Sequence, residues 1–242
     1  MNIISKSKTG IRRGFLAAAG VVVGSLFLTS CMDDIESPQL QPAAYVSIFQ
    51  GATDAPAMNI FANQNRVNQN PLEYAQVLPY SPYYPGTRDF RFSASNSATS
   101  LLEKDIVLAV DSVYSIFVVN KGAGIDAVLA KDIWEMPTPD STQLRFVHLS
   151  PDAPNVYLEV SGATTPLIEG STFKSVSDFE KLTPGNVTLK VKSTETDEVL
   201  IQSGTLELKG NRVYTLILRG LEAESTGTKK LDIQLVTNFV NY

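Results

Sequence analysis

Phe146-Val147-His148-Leu149-Ser150-Pro151-Asp152-Ala153-Pro154-Asn155-Val156-Tyr157-Leu158-Glu159 is the stretch on which the fold turns, because the chain contains it twice. Its counterpart, 98 residues earlier, is Ile48-Phe49-Gln50-Gly51-Ala52-Thr53-Asp54-Ala55-Pro56-Ala57-Met58-Asn59-Ile60-Phe61, with Asp-Ala-Pro identical. Working outward, Val77 through Phe92 lies over Val176 through Val191 at an offset of 99, which places Pro85-Gly86 over Pro184-Gly185. Val113-Tyr114-Ser115-Ile116-Phe117 lies over Val213-Tyr214-Thr215-Leu216-Ile217 at an offset of 100. Offsets that drift by one residue at a time mark a duplication followed by small loop changes.

Each copy reads as short antiparallel strands. In the first they are expected at 44–50, 57–62, 72–78, 87–93, 104–110, 113–120 and 126–131. In the second they are expected at 143–149, 155–161, 165–169, 173–178, 186–193, 198–208, 212–219 and 230–238. The signal is period two with β-branched and aromatic enrichment: Val187, Leu189 and Val191 point one way, Thr188, Lys190 and Lys192 the other. Pro85-Gly86, Pro184-Gly185 and Gly210-Asn211 punctuate the runs at turns. No glycine-rich phosphate loop joins a strand to a long helix, which excludes a dinucleotide fold. The fold class is all-β, two tandem immunoglobulin-like or related β-sandwich domains following a signal peptide and a short tether.

The organisation is then a lipoprotein signal peptide at 1–30, a lipidated tether at 31–43, a first sandwich repeat at 44–136, a linker at 137–142 and a second repeat at 143–242. The short linker implies a fixed, elongated pair of domains. Residues 1–13 are polar and basic, and Phe15 through Leu28 form an apolar run too short for a permanent span. Leu28-Thr29-Ser30-Cys31 resembles a bacterial lipobox, which implies cleavage before Cys31 and acylation, palmitate included, of the new N-terminus. Cys31 is the only cysteine, so there is no internal disulfide and no thiol cluster for zinc or iron–sulfur. Met32-Asp33-Asp34-Ile35-Glu36 resembles the acidic surface-export signal of lipoproteins from the Bacteroidota. This places the chain at the outer membrane, lipid-anchored and surface-exposed, with the periplasm-facing leaflet as the alternative.

Composition agrees with an exported globular chain. Of 242 residues, 43% are hydrophobic and 19% charged, too apolar for general disorder. Removing residues 1–30 leaves 16 basic against 25 acidic side chains, a net charge of −9. That sign argues against nucleic acid and against a polybasic membrane patch.

The segment Phe146 through Val156, with Pro184-Gly185-Asn186-Val187 and the Gly210 to Tyr214 stretch, resembles the bacterial family called domain of unknown function 4397. The first copy departs from it where Gln50-Gly51-Ala52-Thr53 replaces His148-Leu149-Ser150-Pro151. The resemblance implies an exported β-sandwich-like module, often repeated, sometimes described as adhesion-like and without an established catalytic site.

Candidate chemistry is sparse. Asp54 and Asp152 precede Ala-Pro in the two copies, and each reads as a carboxylate accepting backbone N–H groups in an Asx-type turn directed by Pro56 or Pro154. A calcium site needs several converging oxygens, and no dense Asp/Asn loop accompanies either residue; no metal or cofactor is assigned. His148, the only histidine, stands two residues from Ser150, but a hydrolytic triad also needs an oriented acid and an oxyanion hole. No catalytic residue is assigned. Tyr114 and Tyr214 open equivalent late strands and read as rings at the sandwich edge whose hydroxyls bond a turn, in the manner of a tyrosine corner.

The copies differ most at Tyr80-Ser81-Pro82-Tyr83-Tyr84-Pro85-Gly86, aligned with Phe179-Glu180-Lys181-Leu182-Thr183-Pro184-Gly185. Read as a proline-rich turn, Tyr80, Tyr83 and Tyr84 suit recognition of a glycan or protein, with Arg88 and Arg91 adding hydrogen bonds and Tyr74 a weaker candidate. The other reading has these rings closing the sandwich or filling the interdomain contact. Trp134 either pins the two domains together or joins the same surface. The functional expectation is a noncatalytic cell-surface binding or adhesion-like lipoprotein. The alternative is a structural or accessory subunit of an outer-membrane or envelope complex, and an enzyme is disfavoured.

Overall fold

The computed structural model describes residues 41–97, 99–121 and 124–241. The segment expected to be a signal peptide, Cys31 and the acidic residues after it lie outside the described residues. Every named element is a strand, and among the described residues no helix is long and apolar enough to cross a membrane.

The first repeat comprises β1 (Ala44–Gln50), β2 (Met58–Ala62), β3 (Asn65–Arg66), β4 (Val77–Tyr83), β5 (Gly86–Ala94), β6 (Ser100–Leu108), β7 (Val113–Lys121) and β8 (Gly124–Lys131). They form two four-stranded sheets, ordered β4-β1-β7-β8 and β3-β2-β5-β6. The second repeat comprises β9 (Thr142–His148), β10 (Val156–Val160), β11 (Ile168–Ser171), β12 (Glu180–Leu182), β13 (Gly185–Val187), β14 (Leu189–Ser193), β15 (Val199–Gln202), β16 (Leu206–Leu208), β17 (Arg212–Arg219) and β18 (Asp232–Val240). Its sheets are ordered β12-β9-β17-β18 and β11-β10-β14-β15, with a two-stranded β13-β16 ladder beside them. The architecture is all-β, with a pair of four-stranded sheets in each half.

The two halves share their register as well as their topology. Tyr45 pairs with Val113 and Val46 with Tyr114 in parallel; at the same offsets Gln143 pairs with Val213 and Leu144 with Tyr214. Left-handed backbone recurs at the same places: Ala75 and Lys174, Asp111 and Asn211, Gly86 and Gly185 all have positive φ. For Ala75 and Lys174 the unusual conformation places their N–H groups on the carbonyls of Gln50 and His148, at 2.7 and 2.8 Å. The hydroxyls of Tyr114 and Tyr214 each accept the N–H five residues back, from Ala109 and Lys209, both at 3.1 Å. Both rings are buried, as a tyrosine corner requires.

Three readings of the sequence need correction. The ladders are not all antiparallel: β1 and β7, and β9 and β17, run parallel, because the first strand of each repeat inserts between two later ones. Residues 77–83, expected mainly as a turn, form strand β4, whose prolines are tolerated because β4 is a sheet edge and needs bonds on one side only. The stretch 173–178 contributes only the isolated bridge from Val176 to Val147, and the strand follows at β12.

Three apolar clusters hold the chain. Val46, Ile48, Ile60, Phe90, Phe92, Ile116 and Val118 lie inside the first repeat, and Leu144, Phe146, Leu158, Val191, Tyr214 and Leu216 inside the second. The third cluster joins them: Phe49, Phe117 and Val119 pack with Val147, Leu149 and Ile217. Phe49 and Val147 are equivalent positions, as are Phe117 and Ile217, so the same outer face of each repeat meets the other. Strands β1, β7, β9 and β17 are therefore covered on both faces, and all seven residues of β9 are buried. Contact leaves residues 42–242 as one compact unit rather than an elongated pair. At Gly51 the approach is so close that a Cβ would stand 2.8 Å from Leu149 Cδ1 and 3.0 Å from the Val118 carbonyl oxygen.

The tyrosine corners predict graded losses. Tyr214→Phe, which strands the Lys209 N–H, is expected to cost about 1–2 kcal/mol, and Tyr214→Ala, which also opens a cavity, about 3–5 kcal/mol. Equilibrium denaturation in urea measures both, and an unchanged stability in Tyr214→Phe would show that the hydroxyl is idle.

Candidate functional site

Where the two outer faces meet, the apolar cluster gives way to a closed polar network. Arg145 projects from β9 with 1% of its surface exposed, and its guanidinium forms a buried ion pair with Asp132, the residue after β8. Its Nε donates to Thr215 Oγ1 at 2.9 Å and its Nη2 to Ser115 Oγ at 2.8 Å. Ser115 donates in turn to Asp132 Oδ2 at 2.6 Å. The Tyr80 hydroxyl also donates to Asp132 and accepts from Asn238 Nδ2 at 2.7 Å, while Thr215 donates to Asn238 Oδ1 at 2.7 Å. Burial, and then the carboxylate of Asp132, push the Tyr80 phenol well above its usual range. Every member thus has partners, which is the condition under which a buried charge is tolerable.

The network is built from equivalent positions that have diverged. Ser47 matches Arg145 and Ser115 matches Thr215. Asp132 and Asn238 each follow the partner of a corner tyrosine, Lys131 and Thr237. Facing copies of the first repeat would bring carboxylates together without a cation; facing copies of the second would bring guanidinium groups together without an anion. Unlike repeats satisfy both.

The expected recognition residues do not share one surface. Tyr80 lies in the network, and Trp134 stacks between it, at 6.4 Å, and Phe179 and Phe239 of the second repeat, at 5.7 and 5.8 Å. Tyr83 turns inward against Phe90 at 5.5 Å, and burial raises its phenol. Tyr84 is 68% exposed at the β4–β5 turn. Arg88 braces that turn, donating to the carbonyls of Tyr84 and Pro85 at 2.8 and 2.7 Å. Arg91 lies over the Phe61 ring, 4.1 Å from its centroid.

The Asp-Ala-Pro turns reach across the fold instead of bonding only locally. Asp152 accepts the N–H groups of Glu222 and Ala223 at 2.9 and 3.0 Å, and the Ser150 hydroxyl at 3.1 Å. Burial opposes its ionisation, but those donors outweigh it and hold the carboxyl below its usual range. Asp54 accepts from Asn120 and pairs across the halves with Lys229 at 3.5 Å; Pro56 follows it at the surface. His148 is fully buried, with Nε2 3.1 Å from the Pro154 carbonyl oxygen, and burial lowers its pKa so that the ring is neutral. In the first repeat Gln50 fills the same place and bonds Ala52. Among the described residues no group of three or more His, Cys, Asp or Glu side chains is arranged to hold a metal ion.

A cleft of about 510 Å³ opens where the halves meet, at the end where β17 finishes. Glu73, Tyr74 and Ala75 line it from the first repeat; Arg219, Lys230 and Asp232 line it from the second. The Arg219 guanidinium stands over the Tyr74 ring at 5.6 Å and bonds Asp232, and Gln234 Nε2 donates to the Ala75 carbonyl at 3.0 Å. Burial raises the Tyr74 phenol against the opposing pull of Arg219. The Tyr74 hydroxyl interacts with the Arg219 guanidinium, while Arg219 Nε and, beside the cleft, Gln234 Oε1 are buried without a protein hydrogen-bond partner.

The sequence of residues 44–159 matches the family described as Domain of unknown function (DUF4397). The match covers all of the first repeat and runs through β9 into β10, so it ends inside the second repeat. No curated protein matches the chain. Among solved structures, a candidate cell adhesion protein from Bacteroides ovatus ATCC 8483 is similar at 11% identity, over 84% of this chain and 98% of that one, with a TM-score of 0.25.

Arg145 and Asp132 escaped the sequence reading, although a lone arginine inside Leu144-Arg145-Phe146-Val147, with serine at the matched position, was the available signal. Of the cleft residues only Tyr74 was a candidate, and nothing in the sequence tied it to Arg219, 145 positions away.

Two measurements test these contacts. Asp132→Ala, which strands the Arg145 charge, is expected to cost about 3–5 kcal/mol, and the double variant Asp132→Leu with Arg145→Met to recover most of it. Urea denaturation of the three chains decides. Asp126 accepts from Lys174 at 2.7 Å, which, against its own burial, holds its carboxyl at about 2. A depressed carboxylate stabilises above its unfolded pKa and loses that stabilisation as pH falls towards 2. The melting temperature of Asp126→Asn is therefore expected to fall less than that of the parent between pH 5 and pH 2.

Proposed function

We propose that the chain is a noncatalytic, lipid-anchored binding protein of the bacterial cell surface that recognises a glycan or a protein segment through the cleft between its repeats. The observation that carries this reading is the cleft wall, where an aromatic ring, two cations and two carboxylates converge beside buried polar atoms without a protein partner. Buried polar groups in that condition are satisfied by an incoming hydroxyl or amide, and a concave site with few polar anchors is the usual form of a ligand pocket. One wall comes from the 67–76 connection between β3 and β4, the other from the ends of β17 and β18 and the 220–231 connection between them. The only imidazole is committed to a turn, which supports recognition over chemistry.

The anchor is the acylated Cys31 implied by the lipobox, with the acidic residues after it directing the chain outward. Cys31→Ser is expected to abolish metabolic labelling with palmitate and release the chain from the membrane fraction; retention of both would remove the anchor.

Binding is tested by screening the purified chain against a glycan array and envelope proteins, then repeating the hit with Tyr74→Ala and Lys230→Glu. Each is expected to weaken binding about tenfold or more, equivalent to at least ~1.4 kcal/mol. Lys230 is exposed, so an unchanged denaturation midpoint keeps that variant informative. A ligand bound at full strength by both variants would place recognition elsewhere, and a stable envelope partner indifferent to Tyr74 would favour an accessory subunit.

A further inference from the structure

The chain enters its folded part at Ala44, and its exposed apolar side chains gather at that end. Ala44 pairs with Tyr83, Tyr45 with Val113, and Gly86 with Leu108, so the start of β1, the β4–β5 turn and the β6–β7 turn lie together. The linker after β8 joins them, because Asp132 donates to the Val113 carbonyl. Eight large apolar side chains are markedly exposed among the described residues. Six of them, Tyr45, Tyr84, Val107, Val110, Ile133 and Met136, belong to this end, with Ile133 at 72%, Val107 at 70% and Tyr84 at 68%. The recognition cleft lies at the other end, beyond Val77 and Arg219.

The geometry points to a membrane-resting face: this end lies against the phospholipid interface, with the tyrosines and aliphatic side chains seated at headgroup depth. The inference rests on the acylation of Cys31 proposed above. The stretch from Cys31 to Ala44 reaches about 45 Å at most when fully extended, so the acyl chains confine this end to the vicinity of the bilayer. Confinement raises the effective concentration of the interface, and apolar contacts too weak to bind lipid alone then suffice. Tyrosine with aliphatic neighbours suits the interfacial zone. A mature net charge of −9 gives no electrostatic attraction to anionic lipid, so burial of these side chains has to supply the contact. Docked this way, the chain presents its cleft to the medium.

The full-length acylated chain offers a direct test, because Cys31 is its only cysteine and acylation leaves no free thiol. Ile133→Cys, Met136→Cys and, at the opposite end, Glu195→Cys are each labelled with an environment-sensitive dye. The chains are reconstituted in vesicles of phosphatidylethanolamine and phosphatidylglycerol carrying a headgroup-depth quencher. Labels at 133 and 136 are expected to lose most of their emission, and the label at 195 to keep it. A chain that co-sediments with vesicles and has the acylated mass, yet shows no quenching at 133 and 136, overturns the docking while leaving the anchor intact. A chain lacking the acylated mass and remaining in the supernatant overturns both. Labels that stay unquenched by lipid but become shielded from iodide as protein density rises would assign this end to a second copy, and so overturn the membrane contact.

Discussion

The outer faces of β1, β7, β9 and β17 are apolar, and this single constraint organises the molecule. A sandwich normally hides one face of each sheet and wets the other. Here Phe49 and Phe117 in one half, and Val147 and Ile217 in the other, point away from their own cores. Left in water they would form the kind of contiguous apolar patch that monomers avoid. Packed together they make a third core, each buried side chain contributing about 1.5–3 kcal/mol. The close approach at Gly51, where Leu149 of the other half lies against the backbone, follows from bringing those faces into contact.

The polar network answers a different demand. Apolar faces of duplicated origin would pack on any copy of themselves, and shape alone does not choose. A buried Arg145 on one side and Asp132 on the other make the unlike pairing the only one without an uncompensated charge. Replacing both by apolar groups need not weaken the fold, which is the mark of an interaction that contributes selectivity more than stability. Trp134 strengthens the same choice by filling the space between Tyr80, Phe179 and Phe239 from the connecting segment itself.

Rigid pairing has a functional corollary. With both central sheets locked, the ends of the molecule become two fixed and chemically different places. One is where the chain enters the fold and has an apolar rim; the other carries a cleft with an aromatic ring, cations and carboxylates. Neither place uses His148, which meets the Pro154 carbonyl, or Asp152, whose carboxylate is taken up by the backbone N–H groups of Glu222 and Ala223. The family match at residues 44–159 fits this view, since it follows the scaffold and crosses from the first repeat into the second.

By itself the sequence determined the duplication, the strand content, most strand positions and the corner tyrosines, because these depend on local periodicity and on spacing that a linear comparison preserves. The lipobox-like stretch and the acidic residues after it are short linear patterns that lie outside the described residues, so their reading stays a proposal from pattern. Only the tertiary structure decided that the proline-bearing segment around Tyr80 is an edge strand, that its three tyrosines point to three different environments, and that the halves share a third core. It alone brought Arg145 to Asp132 and Tyr74 to Arg219. Period two says which residues share a face, but not what covers that face. That depends on which strands pair and which sheets stack, and those contacts join positions far apart in the chain.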